Sequence, residues 1–280
     1  MLIGALEQHC RVVRATCVQL AHDARHGHLG SALSCVEAVV ALYHTWLRVA
    51  SGAPRDPARD RFVLSKGHGC TALYAVLAER GFFPREWLTT YAQTDSPLPD
   101  HPCRHALPAL ECSSGSLGHG LGIATGMLYG MRLRGREGRA AVLMSDGECN
   151  EGSVWEAAMV AAAQGLGGLL ALVDYNGIQA VGRSDAIMGH TSIAEKFRAF
   201  GWEARTVDGN DVGAVVAALA AVPFAPGKPS ALVLRTRKGA GVSFMEDEVL
   251  WHYRVPSDDD LARALAELGA RPLHLGPEVR

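Results

Sequence analysis

No apolar run in the sequence is long enough to cross a bilayer, which excludes a helical membrane span. Cys-x-x-Cys pairs are also missing: the seven cysteines (10, 17, 35, 70, 103, 112 and 149) lie scattered. An odd, unpatterned set argues against a disulfide framework or a zinc site and predicts reduced thiols that are core fillers or incidental. Charge of one sign is not in excess. A net charge of −2 gives no support for nucleic-acid or membrane-surface binding, so neither is expected as a partner. The first residues become charged and amphipathic too early for a secretory leader, and a cytoplasmic location is expected. With no internal repeat and no obvious linker, the 280 residues read as one domain, 1–280.

Apolar residues are plentiful, at 48% of the chain, and they alternate between two kinds of pattern. Leu6, Cys10, Val13, Cys17 and Leu20 fall at three- and four-residue steps on an opening helix. It runs into Arg25-His-Gly-His-Leu-Gly-Ser31, and Ser34 with Glu37 has the spacing of a capping box for a helix over 35–47. Arg61–Leu64 reads as a buried strand that turns through Ser65-Lys-Gly-His-Gly69 into a helix over 70–79, where backbone N–H groups can receive an anion. Residues 94–114 form a long proline-rich stretch around Asp100-His101-Pro102, the kind of loop that is functional or disordered. Gly115-Ser-Leu-Gly-His-Gly120 opens a helix reaching about residue 134. Further on, a capped helix over 192–200, strands over 202–207 and 230–236, and helices over 212–222 and 258–268 complete the alternation. The pattern predicts an α/β fold, a mostly parallel sheet with helices on both faces.

The most informative stretch lies in the middle. An apolar run, Ala140–Met144, leads into Ser145-Asp-Gly-Glu-Cys-Asn-Glu-Gly152, a helical stretch follows to Gly165, and a second apolar run, Leu169–Val173, leads to Asp-Tyr-Asn176-Gly-Ile178. This is one parallel crossover unit with Asp146 and Asn176 at the carboxyl ends of its two strands, the edge where open α/β sheets bind ligands. Alone, Ser-Asp-Gly or Asn-Gly is a turn. Paired at consecutive strand ends, the two hard oxygen donors and the Ile178 carbonyl leave about three octahedral positions on Mg²⁺ for phosphate oxygens and water.

This unit resembles the thiamine diphosphate motif, Gly-Asp-Gly followed after a helix by Asn, with Ser145 in place of the first glycine. The whole chain resembles the amino-terminal, thiamine diphosphate-binding part of transketolase, and more closely the amino-terminal subunit of split transketolases. The resemblance rests on Gly27-His28-Leu-Gly30, Arg61-Phe-Val-Leu-Ser-Lys-Gly-His68, Asp100-His101-Pro102, Ser114-Gly-Ser-Leu-Gly118, the Asp146…Asn176 pair, and Gly239-Ala-Gly-Val-Ser-Phe-Met-Glu246…Trp251-His252. It implies that Asp146, Asn176 and Ile178 hold Mg²⁺ (or Ca²⁺ or Mn²⁺). His68, Gly115, Ser116, Leu117, Gly147, Asn176 and His252 would touch the cofactor, and His28, His101 and His252 would serve catalysis at the sugar. Imidazoles suit that work because they gain and lose protons near physiological pH.

Of the twelve histidines, His22, His26, His44, His105, His190 and His274 read as surface or structural. Two readings stay open for His119, which stands where related enzymes often carry glutamine. The same holds for Glu151 and Glu156, plain helix-start acids or members of a proton network near a dimer interface. The resemblance further implies ketol transfer from a ketose phosphate to an aldose acceptor. A carboxy-terminal transketolase subunit would supply the pyrimidine-binding domain, in an α2β2 heterotetramer. The alternatives are a subunit of another thiamine diphosphate enzyme, acting on pyruvate or on a specialised-metabolism acceptor, and a non-catalytic scaffold homologue.

Overall fold

The computed structural model describes residues 2–189 and 191–272, so His190 and His274 lie outside the described residues. Four apolar runs become β1 (Arg61–Leu64), β2 (Ala140–Ser145), β3 (Leu169–Tyr175) and β5 (Ser230–Arg235), and the more polar Glu203–Asp208 becomes β4. They form one sheet in the order β1-β2-β3-β5-β4, with every pairing parallel. Parallel neighbours need helical crossovers. Ahead of the sheet come α1 (Ile3–Asp23), α2 (Leu29–Leu33) and α3 (Val36–Ala41). Between and after the strands lie α4 (Cys70–Glu79), α5 (Gly120–Leu133), α6 (Gly152–Ala163), α7 (Ser184–Met188), α8 (Ile193–Ala199), α9 (Val212–Ala220) and α10 (Asp258–Glu267).

Alternate strand residues feed two cores. Ala141, Leu143, Leu170 and Leu172 pack with Leu33, Leu73 and Val215 on one face, whereas Val142, Met144, Ala171 and Val173 pack with Leu121, Val154, Phe197 and Trp202 on the other. Covering on both faces is why these strands read as continuous apolar runs rather than as an alternation.

The helix expected over 35–47 is broken. Only Val36–Ala41 is α-helical, and Leu42–Trp46 widens into a π-helical turn. The capping box does not form. The Ser34 hydroxyl donates instead to Asp174 Oδ2 at 2.6 Å, and Glu37 accepts from Arg14 Nη2 at 2.6 and 2.7 Å. Both residues are buried, so tertiary partners replace the local cap. Neither α2, which begins within the stretch Arg25–Ser31 read as a glycine-punctuated loop, nor the short α7 carried a helix expectation. The other elements fall within a few residues of the pattern. All five strands point their carboxyl ends to one edge, and the loops after β1, β2, β3 and β5 gather there.

Candidate active site

Strand register brings the two halves of the central unit together. Ser145 stands opposite Asp174, so the chains leaving β2 and β3 emerge side by side. Asp146 Oδ2 accepts from the Gly177 N–H at 3.1 Å and from the Ser184 hydroxyl at 2.6 Å. Asn176 Oδ1 accepts from the Ile178 N–H at 3.1 Å, while its amide donates to Asp174 Oδ2 at 3.2 Å. Burial pushes the Asp146 carboxyl above its ordinary pKa, a penalty that a bound cation would offset. The Ile178 carbonyl accepts from the Lys238 ammonium at 3.3 Å, so a cation already sits against this oxygen. A carboxylate, a carboxamide oxygen and a backbone carbonyl are the donor chemistry of Mg²⁺ or Ca²⁺, and the residues fit such an ion.

Four loop histidines converge beside this group. The His28 ring lies 5.2 Å from His252, 5.6 Å from His68 and 6.0 Å from His101, and His68 lies 5.9 Å from His252. The His28 backbone is left-handed, with φ 65°, and its N–H donates to the His252 carbonyl at 2.7 Å. Gly27 is needed for this approach, because a Cβ there would lie 2.8 Å from the Tyr253 carbonyl oxygen. Burial, then His101 and His26, pulls His28 down to about 4. Burial and then Lys238 pull His252 down to about 3, and burial holds His68 well below its usual value. These imidazoles are therefore neutral at physiological pH. Lys238 Nζ donates to His252 Nδ1 at 2.6 Å, which leaves Nε2 as the N–H donor.

The Gly115 loop closes a third side. Gly118 has φ +87°, and its N–H donates to Glu148 Oε1 at 2.9 Å. His119 Nδ1 lies 3.2 Å from the Leu117 carbonyl oxygen and 3.4 Å from the Ser116 hydroxyl, bending over the loop it follows. Gly147 packs against Gln179, with 3.1 Å left for a Cβ. All the residues proposed from sequence thus stand at one edge of the sheet, on loops that touch each other.

Several groups in the site carried no sequence-based assignment. Lys66 and Asp174 form a fully buried ion pair beneath it, and Asp174 also accepts from Ser34 and Thr236. Burial alone would neutralise Lys66, but the Asp174 carboxylate more than offsets it and holds the ammonium charged. The same pairing draws Asp174 below its ordinary value against its own burial. Burial, helped by Lys66, brings Lys238 down to about 8. Buried Glu148 joins the Gly118 N–H to the Ser65 hydroxyl, tying the loops after β1, β2 and residue 115. Lys66 lies inside a motif quoted above and Lys238 directly precedes another, and their place at those motifs was the available signal.

A parallel sheet with a carboxylate–carboxamide pair on neighbouring strand ends is an open α/β domain with polar groups at its ligand-binding edge. The family model described as "Transketolase, thiamine diphosphate binding domain" matches residues 6–275. The chain is 40% identical over 267 residues to a subunit of the apulose-4-phosphate transketolase of Actinobacillus succinogenes, covering 94% of this chain and 95% of that protein. It is 36% identical over 263 residues to a subunit, SqwG, of the 6-deoxy-6-sulfo-D-fructose transketolase of a Clostridium species, covering 94% and 96%. The transketolase of Leishmania mexicana superposes with a TM-score of 0.88 at 26% identity, over 95% of this chain and 42% of that one. The chain belongs to the transketolase family, as its thiamine diphosphate-binding domain. The enzyme is accordingly a transketolase-type transferase, and no helix among the described residues is long and apolar enough to cross a membrane.

Proposed function

We propose that this chain acts as the amino-terminal subunit of a split transketolase, binding thiamine diphosphate through a divalent cation and transferring a two-carbon ketol unit with a second polypeptide. Asp146, Asn176 and the Ile178 carbonyl hold the metal, Mg²⁺ by preference. The loops at Gly115–Leu117, Gly147 and His68 receive the diphosphate, supported by the charged Lys66 below and Lys238 beside them. The observation that carries the reading is the meeting of the Asp146 carboxylate with the Asn176–Ile178 turn through the Gly177 N–H.

When bound, thiamine diphosphate supplies the carbanion-stabilising centre for cleaving and forming the ketose carbon–carbon bond. This chain's contribution is positioning and proton transfer. Neutral His28 can accept a sugar hydroxyl proton, and His252, oriented by Lys238, presents Nε2–H to a sugar oxygen. His101 stands at the open side, 3.3 Å from the Asp100 carboxylate, where a donor sugar would enter. The substrate class is a ketose bearing a terminal anion. The relatives' names support this, one specifying a phosphate and the other a sulfonate. The partner requirement draws support from relatives that this chain matches nearly end to end, each named as one subunit of its transketolase.

Titration calorimetry of the assembled enzyme with thiamine diphosphate tests the metal assignment. Binding is expected to need Mg²⁺. Asp146→Asn should weaken it by at least about 10²-fold with an unchanged circular-dichroism spectrum, more than removal of a supporting partner costs a metal site. Undiminished affinity in that variant would remove Asp146 as a ligand.

A further inference from the structure

A second cluster of ligand-type side chains lies away from the cofactor site. His9 sits on α1, His44 in the π-helical turn Leu42–Trp46, and Glu79 at the last position of α4. One nitrogen or oxygen from each lies within 4.8 Å of those from the other two. His9 Nδ1 contacts Glu79 Oε1 directly, and His44 Nε2 is 3.9 Å from Glu79 Oε2. The two imidazoles stack with centroids 4.3 Å apart. His44 carries the most telling feature: its side chain is only 5% exposed, yet neither ring nitrogen has a hydrogen-bond partner among the described residues. A buried imidazole with both nitrogens unmatched lacks a partner that the described residues do not provide. It also sits in a widened turn of the kind that recurs at functional sites.

We propose that His9, His44 and Glu79 bind a divalent ion of the zinc class, clamping α1, the π-helical turn and α4 together. Two imidazoles and one carboxylate select Zn²⁺, Co²⁺, Ni²⁺ or Cu²⁺ over Mg²⁺ and Ca²⁺, which favour all-oxygen shells. Tetrahedral zinc, with bonds of about 2.0–2.2 Å, sets its donors roughly 3.3 Å apart. His44 and Glu79 at 3.9 Å need a sub-ångström approach, His9 a small retreat from Glu79, and the stacked imidazoles a turn that aims both in-plane lone pairs at one ion. Side-chain exposures of 30% for His9 and 26% for Glu79 give the ion a way in and a fourth position open to water. The site is separate from the cofactor pocket. Glu79 closes the ten-residue α4, whose opening turn follows His68 directly, so the helix carries it about 15 Å away.

The test is a Co²⁺ titration of the full-length, tag-free chain followed by visible absorption, with Zn²⁺ as competitor. One equivalent should bind at micromolar concentration or tighter and give d–d bands without the intense near-ultraviolet band of a cobalt thiolate. Zn²⁺ should displace it and raise the melting temperature by about 2–4 °C. His9→Ala and Glu79→Gln change partly exposed side chains, so the fold is expected to survive, as circular dichroism can verify. Each should weaken Co²⁺ binding by at least about 10-fold, whereas Asp146→Asn should leave it in place. Affinity unchanged in both variants would overturn the site. So would a thiolate band, which would assign the ion to cysteines, or failure to saturate below millimolar metal.

Discussion

His28 is held in left-handed backbone by its own N–H on the His252 carbonyl, a conformation uncommon for a residue with a Cβ. Its imidazole is pulled down to about 4 by burial and by His101 and His26, whereas in the unfolded chain it titrates near 6.5. Between these values the unfolded chain binds more protons than the folded one, so His28 costs the native state stability as pH falls through that window. His252, lowered to about 3, acts in the same direction, while Asp146 and Glu148, raised by burial, act in the opposite one. A difference measurement isolates the one residue. The urea midpoint of the wild type should fall more steeply from about pH 7 to about pH 5 than that of His28→Gln. Parallel curves would mean that the imidazole protonates freely in the folded protein and is not the desolvated base described here.

At the scale of the element, the turn into α5 is tightly constrained. A Cβ on Gly118 would lie 2.6 Å from the Ser153 hydroxyl and 2.7 Å from Glu151 Cβ, at a φ of +87°. Gly118→Ala should therefore cost about 1–3 kcal/mol, shift the Ser116–Leu117 loop and weaken cofactor binding, read by thermal melting and calorimetry. On the same helix, Gly130→Ala meets nothing within 4 Å and should stabilise by up to about 1 kcal/mol. If the two variants melt alike, the loop is not strained by a side chain at 118. This turn was legible as Gly-Ser-Leu-Gly before a helical period, just as β1, β2, β3 and β5 were legible as apolar runs. Sequence was least informative wherever a distant partner outweighed a local rule. Ser34 and Glu37 have capping-box spacing but bond to Asp174 and Arg14. Lys66 and Asp174 are 108 positions apart, and only the sheet makes them neighbours. His26 and His44 read as bland, yet one lies 6.0 Å from His28 and the other beside His9 and Glu79.

At the scale of the whole molecule, the chain spans about 40% of the length of full transketolases such as the human enzyme, to which it is 38% identical. Its candidate site has an apolar rim: beside buried His252, Tyr253 is 61% and Leu250 72% exposed. Exposed apolar side chains at the mouth of a pocket are what a partner chain covers. Running from Gly118 and His119 at the edge of that site, a groove of about 700 Å³ between α5 and α6 is lined by Ile123, Tyr129, Ala157 and Val160, beside Glu156. The α2β2 assembly that the resemblance implies would cover both, the groove with a second copy of this chain and the mouth with the proposed carboxy-terminal partner. Coupled ketol-transfer assays with a terminally anionic ketose donor should therefore show no turnover for this chain alone and restored turnover on adding its partner. Sedimentation should find two copies of each. Val160→Glu would place a charge in the groove and should split the assembly into αβ pairs. An active one-to-one complex in the wild type would remove the second copy while leaving the shared site intact. Turnover by this chain alone would instead remove the shared site, since every group needed would then lie within it.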